Sequence, residues 1–179
     1  MTEYEESTEV FTGLPDTARV WIYAADRDLN ANEQERLTSI LADFCAVWSS
    51  HGRKVESSSA VLAGRFVILA GLIPGGDVSG CGVDASVHAL DRATAELGLS
   101  WLPSIWVHFR DASGAVHSCT RSQFRELARS GEVGAETPVF DLNLQTLGEL
   151  RRGAFESAAR NSWHGRVFAL GSRPNSAMT

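Results

Sequence analysis

Between Ala18 and Ala24 the chain alternates. Ala18, Val20, Ile22 and Ala24 point one way, and Arg19, Trp21 and Tyr23 the other. A period of two predicts a strand over 18–24. The period then lengthens. Leu37, Ile40, Leu41, Phe44 and Trp48 share one helical face. Asn30 with Glu33 three residues on makes a capping box, and Gly52 is placed to end the helix. Lys54–Leu62 and Arg65–Leu72 then read as two strands around an Ala63-Gly64 turn. The first alternates with serines and suits a sheet edge. The second, Phe66-Val67-Ile68-Leu69-Ala70, is apolar throughout and suits a central strand.

A glycine-rich loop follows, and Asp84 is placed to cap a second helix. That helix is expected to bury Val87, Leu90, Ala93 or Thr94, and Leu97, and to stop at Gly98. Ser104–Arg110 reads as the next strand. The order β-α-β-β-α-β predicts a ferredoxin-like, split βαβ half over 14–102, with 18–24 and 65–72 as parallel neighbours. A smaller half spans 103–170. There Ala115–Cys119 pairs back on Ser104–Arg110 across Asp111-Ala112-Ser113-Gly114. Thr120 or Ser122 caps a short helix with Phe124, Leu127 and Ala128 inward, and Gly131 ends it. Val139-Phe140 is extended, and Trp163–Leu170 is a last strand. The predicted class is therefore α+β, the two halves sharing a sheet or a core. Residues 1–13 read as a disordered acidic tail and 171–179 as a frayed end.

Composition narrows the function classes. The 179 residues are 44% hydrophobic and 21% charged, enough for a packed core. Net charge is −6, with Glu3, Glu5, Glu6 and Glu9 concentrated at the start. This argues against a general nucleic-acid binder. The longest apolar run, Phe66 to Pro74, is about half what a membrane helix needs, so no membrane partner is expected. Cys45, Cys81 and Cys119 are odd in number and widely spaced, which is no disulfide framework. A cytoplasmic chain with reduced thiols is expected.

The chemistry-bearing candidates fall in three places. The loop Pro74-Gly75-Gly76-Asp77-Val78-Ser79-Gly80-Cys81-Gly82 lies between a strand and a helix start, a common place to hold an anion or activate a thiol. Here Cys81 is the candidate nucleophile, with Asp84 and His88 in support and Ser79, Gly80 and Gly82 as anion donors. If Cys81 and His88 both lie on the helix, they stand about 10 Å apart by helical rise, beyond hydrogen-bond reach. His164 and Arg166 flank Gly165 and form a candidate anion clamp. Trp21 and Tyr23, beside Arg19, would form an open aromatic platform if helices cover the other face of their strand. With Trp106 and Trp163 they are the candidate partner-binding residues. His108, His117 and Cys119 are the one set with metal-ligand chemistry. The hairpin is expected to set the two histidines face to face with Cys119 near as the third ligand a site needs, and no metal and no cofactor is predicted.

The stretch Trp106–Asp141 resembles the bacterial GYF-like domain. The resemblance is carried by Trp106-Val107-His108-Phe109, Gly114, Ser122-x-Phe124-x-x-Leu127, Ser130-Gly131-Glu132-Val133 and Thr137-Pro138-Val139-Phe140. It implies a peptide-binding adaptor that favours proline-rich ligands. Val116-His117-Ser118-Cys119 stands where that family carries its Gly-Pro-aromatic signature. The whole chain is also similar to a family of short bacterial proteins without assigned function, some of them labelled transporter ATPase. Leu14-Pro15-Asp16-Thr17-Ala18-Arg19-Val20-Trp21-Ile22-Tyr23, Ser79-Gly80-Cys81 and Ser162-Trp163-His164-Gly165-Arg166 carry that resemblance. The P-loop pattern Gly-x4-Gly-Lys-Ser/Thr is missing, and the glycine loop has no lysine. The expected function is a non-catalytic peptide- or protein-binding module, and the alternative is a thiol-dependent enzyme or anion site around Cys81.

Overall fold

The computed structural model describes residues 11–170. In chain order its strands are β1 (Arg19–Ala24), β2 (Ser49–Ser50), β3 (Arg53–Lys54), β4 (Glu56–Leu62), β5 (Phe66–Leu72), β6 (Val107–Arg110), β7 (Val116–Cys119), β8 (Pro138–Phe140) and β9 (Glu156–Ala158). The helices are α1 (Ala31–Val47), α2 (Gly80–Leu97), α3 (Arg121–Ser130), α4 (Leu147–Arg151) and α5 (Trp163–Val167), with a 3-10 turn at Ala159–Asn161. The class is α+β. The described residues form two compact units, 11–104 with 142–152, and 105–141 with 153–170. Segment 142–152, expected in the second half, belongs to the first unit.

In the first unit, β5 is the middle strand of a sheet ordered β1-β5-β4, and serine-bearing β4 is an edge. Both pairings are antiparallel, with Arg19 opposite Gly71 and Glu56 opposite Leu72. The parallel pairing expected for 18–24 and 65–72 is therefore wrong. Helix α1 reverses the chain once, so β4 runs with β1, and the hairpin then sends β5 back. That hairpin turns on Ala63 at φ 49° and Gly64 at φ 59°, the left-handed pair that matches strand twist. Helix α1 carries the predicted capping box, the Asn30 side chain accepting from Glu33 N–H and the Glu33 carboxylate accepting from Asn30 N–H. It ends at Val47, earlier than expected. Gly52 instead makes the β2–β3 turn with His51, both at positive φ.

Helices α1 and α2 lie on the Trp21 and Tyr23 face of the sheet. These two rings pack with Leu37, Ile40, Leu41, Val67, Leu69 and Leu90. Val20, Ala24, Phe66, Ile68 and Ala70, on the other face, are buried as well. Alternation thus predicted two faces correctly, but the helices cover the Trp21 and Tyr23 face and the opposite face is buried too. Beyond β1, among the described residues, the sheet continues as single bridges, Arg19 to Thr146 and Ala25 to Trp101. The expected strand Ser104–Arg110 begins at Val107 and pairs in the second unit. Phe11 is fully buried, and Arg151 donates to the carbonyls of Phe11 and Leu14 at 2.8 Å. Placed chain therefore starts before Leu14. The remainder of the predicted acidic tail, and the frayed end 171–179, lie outside the described residues.

The second unit is an antiparallel sheet ordered β7-β6-β8-β9. Its core joins Val107, Phe109, Phe124, Val133, Val139, Ala159, Phe168 and Leu170. Thr120, not Ser122, caps α3 through a capping box with Gln123, and Gly131 ends it at φ 82°. Trp163–Leu170, expected as a strand, opens instead as helix α5 capped by Ser162. Gly165 shows why. A Cβ there would stand 2.6 Å from the Ala159 carbonyl oxygen and 2.9 Å from Arg160 Cα. Only glycine lets this turn close on the 3-10 segment.

Candidate functional site

The glycine loop is knit into the first unit by its own contacts. Arg53 donates to the Pro74 carbonyl, and Arg19 pairs with Asp77 at 3.2 Å. Ser79, not Asp84, is the N-cap of α2, so the helix starts earlier than predicted. Val87, expected inward, is 41% exposed, while Ser86 and Ala89 are buried beside the expected Leu90 and Ala93. The Ser79 hydroxyl is bonded to Ser50 Oγ at 2.7 Å. Gly82 is buried, and its carbonyl accepts the Trp48 indole N–H at 2.8 Å. A Cβ on Gly82 would meet Val78 at 2.8 Å and Ser50 at 3.0 Å. Two of the three expected anion donors therefore serve packing between α2 and β2. Gly80 is open, and a Cβ added there would meet nothing within 4 Å.

Cys81 is exposed in the first turn of α2. Asp84 and His88 are exposed on the same helix. Their spacing at i, i+3 and i+7 gives them one face. No hydrogen bond or ion pair joins any two of the three among the described residues. A base within reach of the thiol is what a nucleophilic pair requires, and the helix holds His88 two turns away.

Ser162, His164 and Arg166 lie in the second unit, so the glycine loop and the expected clamp belong to different units. His164 is fully buried, stacked on Trp163 with centroids 3.7 Å apart. Its Nδ1 is 2.6 Å from Ser162 Oγ, and its Nε2 has no hydrogen-bond partner among the described residues. Burial, reinforced by the Arg121 charge and opposed by Asp141, pulls its pKa down to about 4. His164 is therefore neutral near pH 7 and brings no positive charge to an anion. Arg166 is exposed. The candidate anion clamp needs His164 and Arg166 open to a ligand together. Helical winding instead buries His164 and leaves Trp163 half-buried, its indole N–H donating to Asp141 at 3.1 Å.

The other aromatic candidates are half-buried too. Trp21 meets Trp48 edge-on at 5.5 Å, with the Arg19 guanidinium over its ring. Tyr23 meets Trp101 edge-on, and burial raises its phenol pKa. Trp106 precedes β6 and is half-buried. The open platform expected at Trp21 and Tyr23 is thus covered, by α1 and α2. In the β6–β7 hairpin His108 stands opposite Ser118, while His117 stands opposite Phe109 and Cys119 opposite Val107. His108 therefore points to the other face from His117 and Cys119, and the two histidines do not face each other. His117 Nε2 instead lies 2.7 Å from Asp111, whose carboxyl is held well below its usual range by Ser113 and His117. Among the described residues no cluster of three metal-ligating side chains forms.

A groove that sequence reasoning nearly missed lies between α1 and α2. It encloses about 410 Å³ and is lined by Phe44, Val47, Trp48, Ala85 and Ala89, with Asp43, His88 and Arg92 beside them. Val47 is 75% exposed. Of these residues, His88 alone is a site candidate from sequence. Phe44 and Trp48 share one helical face by their spacing, but sequence carries no sign that α1 ends at Val47 and leaves that face accessible at its edge. A larger hollow of 570 Å³ runs along α1 and β4 past Ser57, Ser58 and Ser59. There the Lys54 ammonium is already committed to the Cys45 carbonyl at 2.7 Å. No helix among the described residues is long and apolar enough to cross a membrane. No family model, no curated protein and no solved structure matches the chain.

Proposed function

We propose that this chain is a non-catalytic peptide- or protein-binding module, and that the α1–α2 groove takes an apolar side chain of the partner. The observation that carries the reading is the groove itself: an aromatic and aliphatic lining, an exposed Val47, and charges of both signs at Asp43 and Arg92. An apolar concavity with a few polar groups at its edge is the usual form of a recognition site. Cys81, Asp84 and His88 share one helix face without bonding to one another, and His164 belongs to the other unit, which supports binding over catalysis. In this reading the first unit is a ferredoxin-like half, supported through five elements by the order β1-β5-β4 with two helices on one face. The second is a GYF-like half, supported by the hairpin, the Thr120-capped helix and β8.

Panning a random peptide display library on the full chain tests it. Peptides that bind the chain and lose at least about tenfold in affinity for Val47→Glu support the groove. Val47 is surface-exposed, so the substitution should change stability by no more than about 0.5 kcal/mol. Selected peptides that bind Val47→Glu equally well, or a library that yields nothing above background, would overturn the proposal.

A second reading is favoured by one observation, the exposure of Cys81 in the first turn of an 18-residue helix. If the thiol is functional, iodoacetamide labels Cys81 at neutral pH clearly faster than it labels free cysteine. Cys119, whose pKa burial pushes up to about 11, and Cys45, raised by burial, stay unlabelled on that timescale. Labelling of Cys81 at the rate of free cysteine would remove the thiol reading.

A further inference from the structure

Helix α3 carries Arg121, Arg125 and Arg129 at i, i+4 and i+8. That spacing puts them in one row along the helix. The Arg121 guanidinium sits over the Trp163 ring at 5.3 Å, and Arg125 over Phe168 at 5.5 Å. Arg121, Arg125 and Arg129 stand on the outer side of the unit, and Arg129 pairs with Glu126. Arg121 and Arg125 have no ion-pair partner among the described residues. Beside the row runs a groove of about 360 Å³, lined by Arg125, Ala128, Arg129, Val167, Phe168 and Leu170. Val167 is 47% exposed there, and Arg166 precedes it in the chain.

From this we infer that the α3 groove is a docking site for a short acidic peptide segment of a partner protein, one carrying a bulky apolar side chain among its carboxylates. The charge selects the occupant. Arginines already spread on aromatic rings are preorganised to take carboxylates, and less side-chain entropy is lost in doing so. The apolar strip at Val167 and Phe168 supplies the anchor. Nucleic acid fits less well: the two rings that could stack on bases are covered by guanidinium groups, and base stacking needs open rings. Residues 171–179 fit less well again, since they carry Arg173 and no acidic residue. This site is separate from the α1–α2 groove and does not depend on it.

Fluorescence anisotropy with the full chain tests the inference. The probe is a fluorescein-labelled hexapeptide with two central leucines flanked by glutamates. Saturable binding is expected, weakening about tenfold between about 50 and 300 mM NaCl as the Debye length shrinks. Arg125→Glu and Arg129→Glu should each weaken it about tenfold or more, with Arg125→Lys intermediate because it keeps charge and loses the planar fork. Far-UV circular dichroism verifies that each variant is folded. Four results would overturn the inference: no saturable binding, equal binding of the same peptide with lysine for glutamate, tighter binding of a single-stranded RNA oligomer, or binding that appears only when the chain ends at Leu170 and ignores the arginine variants.

Discussion

The α1–α2 groove and the α3 groove are close in size, about 410 and 360 Å³, and opposite in character. The first has an apolar lining beside one acid, one arginine and one histidine. The second has an apolar strip beside a row of arginines. A mixed rim selects mainly by shape, because its charges offset one another. A rim of one sign selects by charge and responds to salt. Each groove also rests on different support. Beneath the first, Trp48 is tied by its indole N–H to Gly82 and touches Trp21 edge-on. Beneath the second, Phe168 stands edge-on to Phe124, and Phe124 edge-on to Phe109, a stack of rings that carry no polar atoms.

The sharpest way to break the comparison is to remove that stack. Phe124 is fully buried, and Phe124→Ala should cost about 3–5 kcal/mol in urea unfolding. Phe44→Ala, at a half-buried position lining the other groove, should cost clearly less. Equal losses would mean that the two grooves rest on comparable support.

Glycine substitutions come next. Gly165→Ala forces a carbon against backbone at Ala159 and Arg160 and should destabilise by about 2–4 kcal/mol. Gly80→Ala meets nothing within 4 Å and, in a helix, should be neutral or stabilising by up to about 1 kcal/mol. Thermal denaturation of both reads the difference, and a Gly165→Ala protein that melts with the native one would disprove the close approach.

The gentlest test is pH. His164 in the folded chain takes its proton near pH 4 rather than at its ordinary 6.5. Between those values the unfolded chain binds more protons, so stability rises with pH across that window. It is present in full above about pH 6.5 and falls away as pH drops toward 4, by on the order of 2–3 kcal/mol. His164→Phe should flatten that part of the profile. A profile unchanged by the substitution would show that the imidazole is solvated after all.

Much of the first unit was legible because its signals are local. The Asn30–Glu33 box, the Ala63-Gly64 turn and Gly98 at φ 61° all act within a few residues, as does the Thr120 cap in the second unit. The continuous apolar run of β5 predicted its central place. The candidate site was much less legible. Cys81 reads from sequence as a loop residue before a helix capped by Asp84, whereas the helix begins after Ser79 and takes Cys81, exposed, into its first turn, two turns from His88. His164 read as half of an anion clamp, because a five-residue helix leaves no periodic trace of the burial that removes it.

The sequence by itself determined the caps, the turns, the apolar strand and the two-sidedness of β1, since each follows from steric and hydrogen-bonding preferences of neighbouring residues. Tertiary structure alone decided which side of β1 the helices cover, that 142–152 joins the first unit, that His164 is sealed and neutral, and that α3 sets its arginines over two rings. Those outcomes depend on which distant surfaces bury the most apolar area together, and burial is a property of the folded whole that no short window of residues contains.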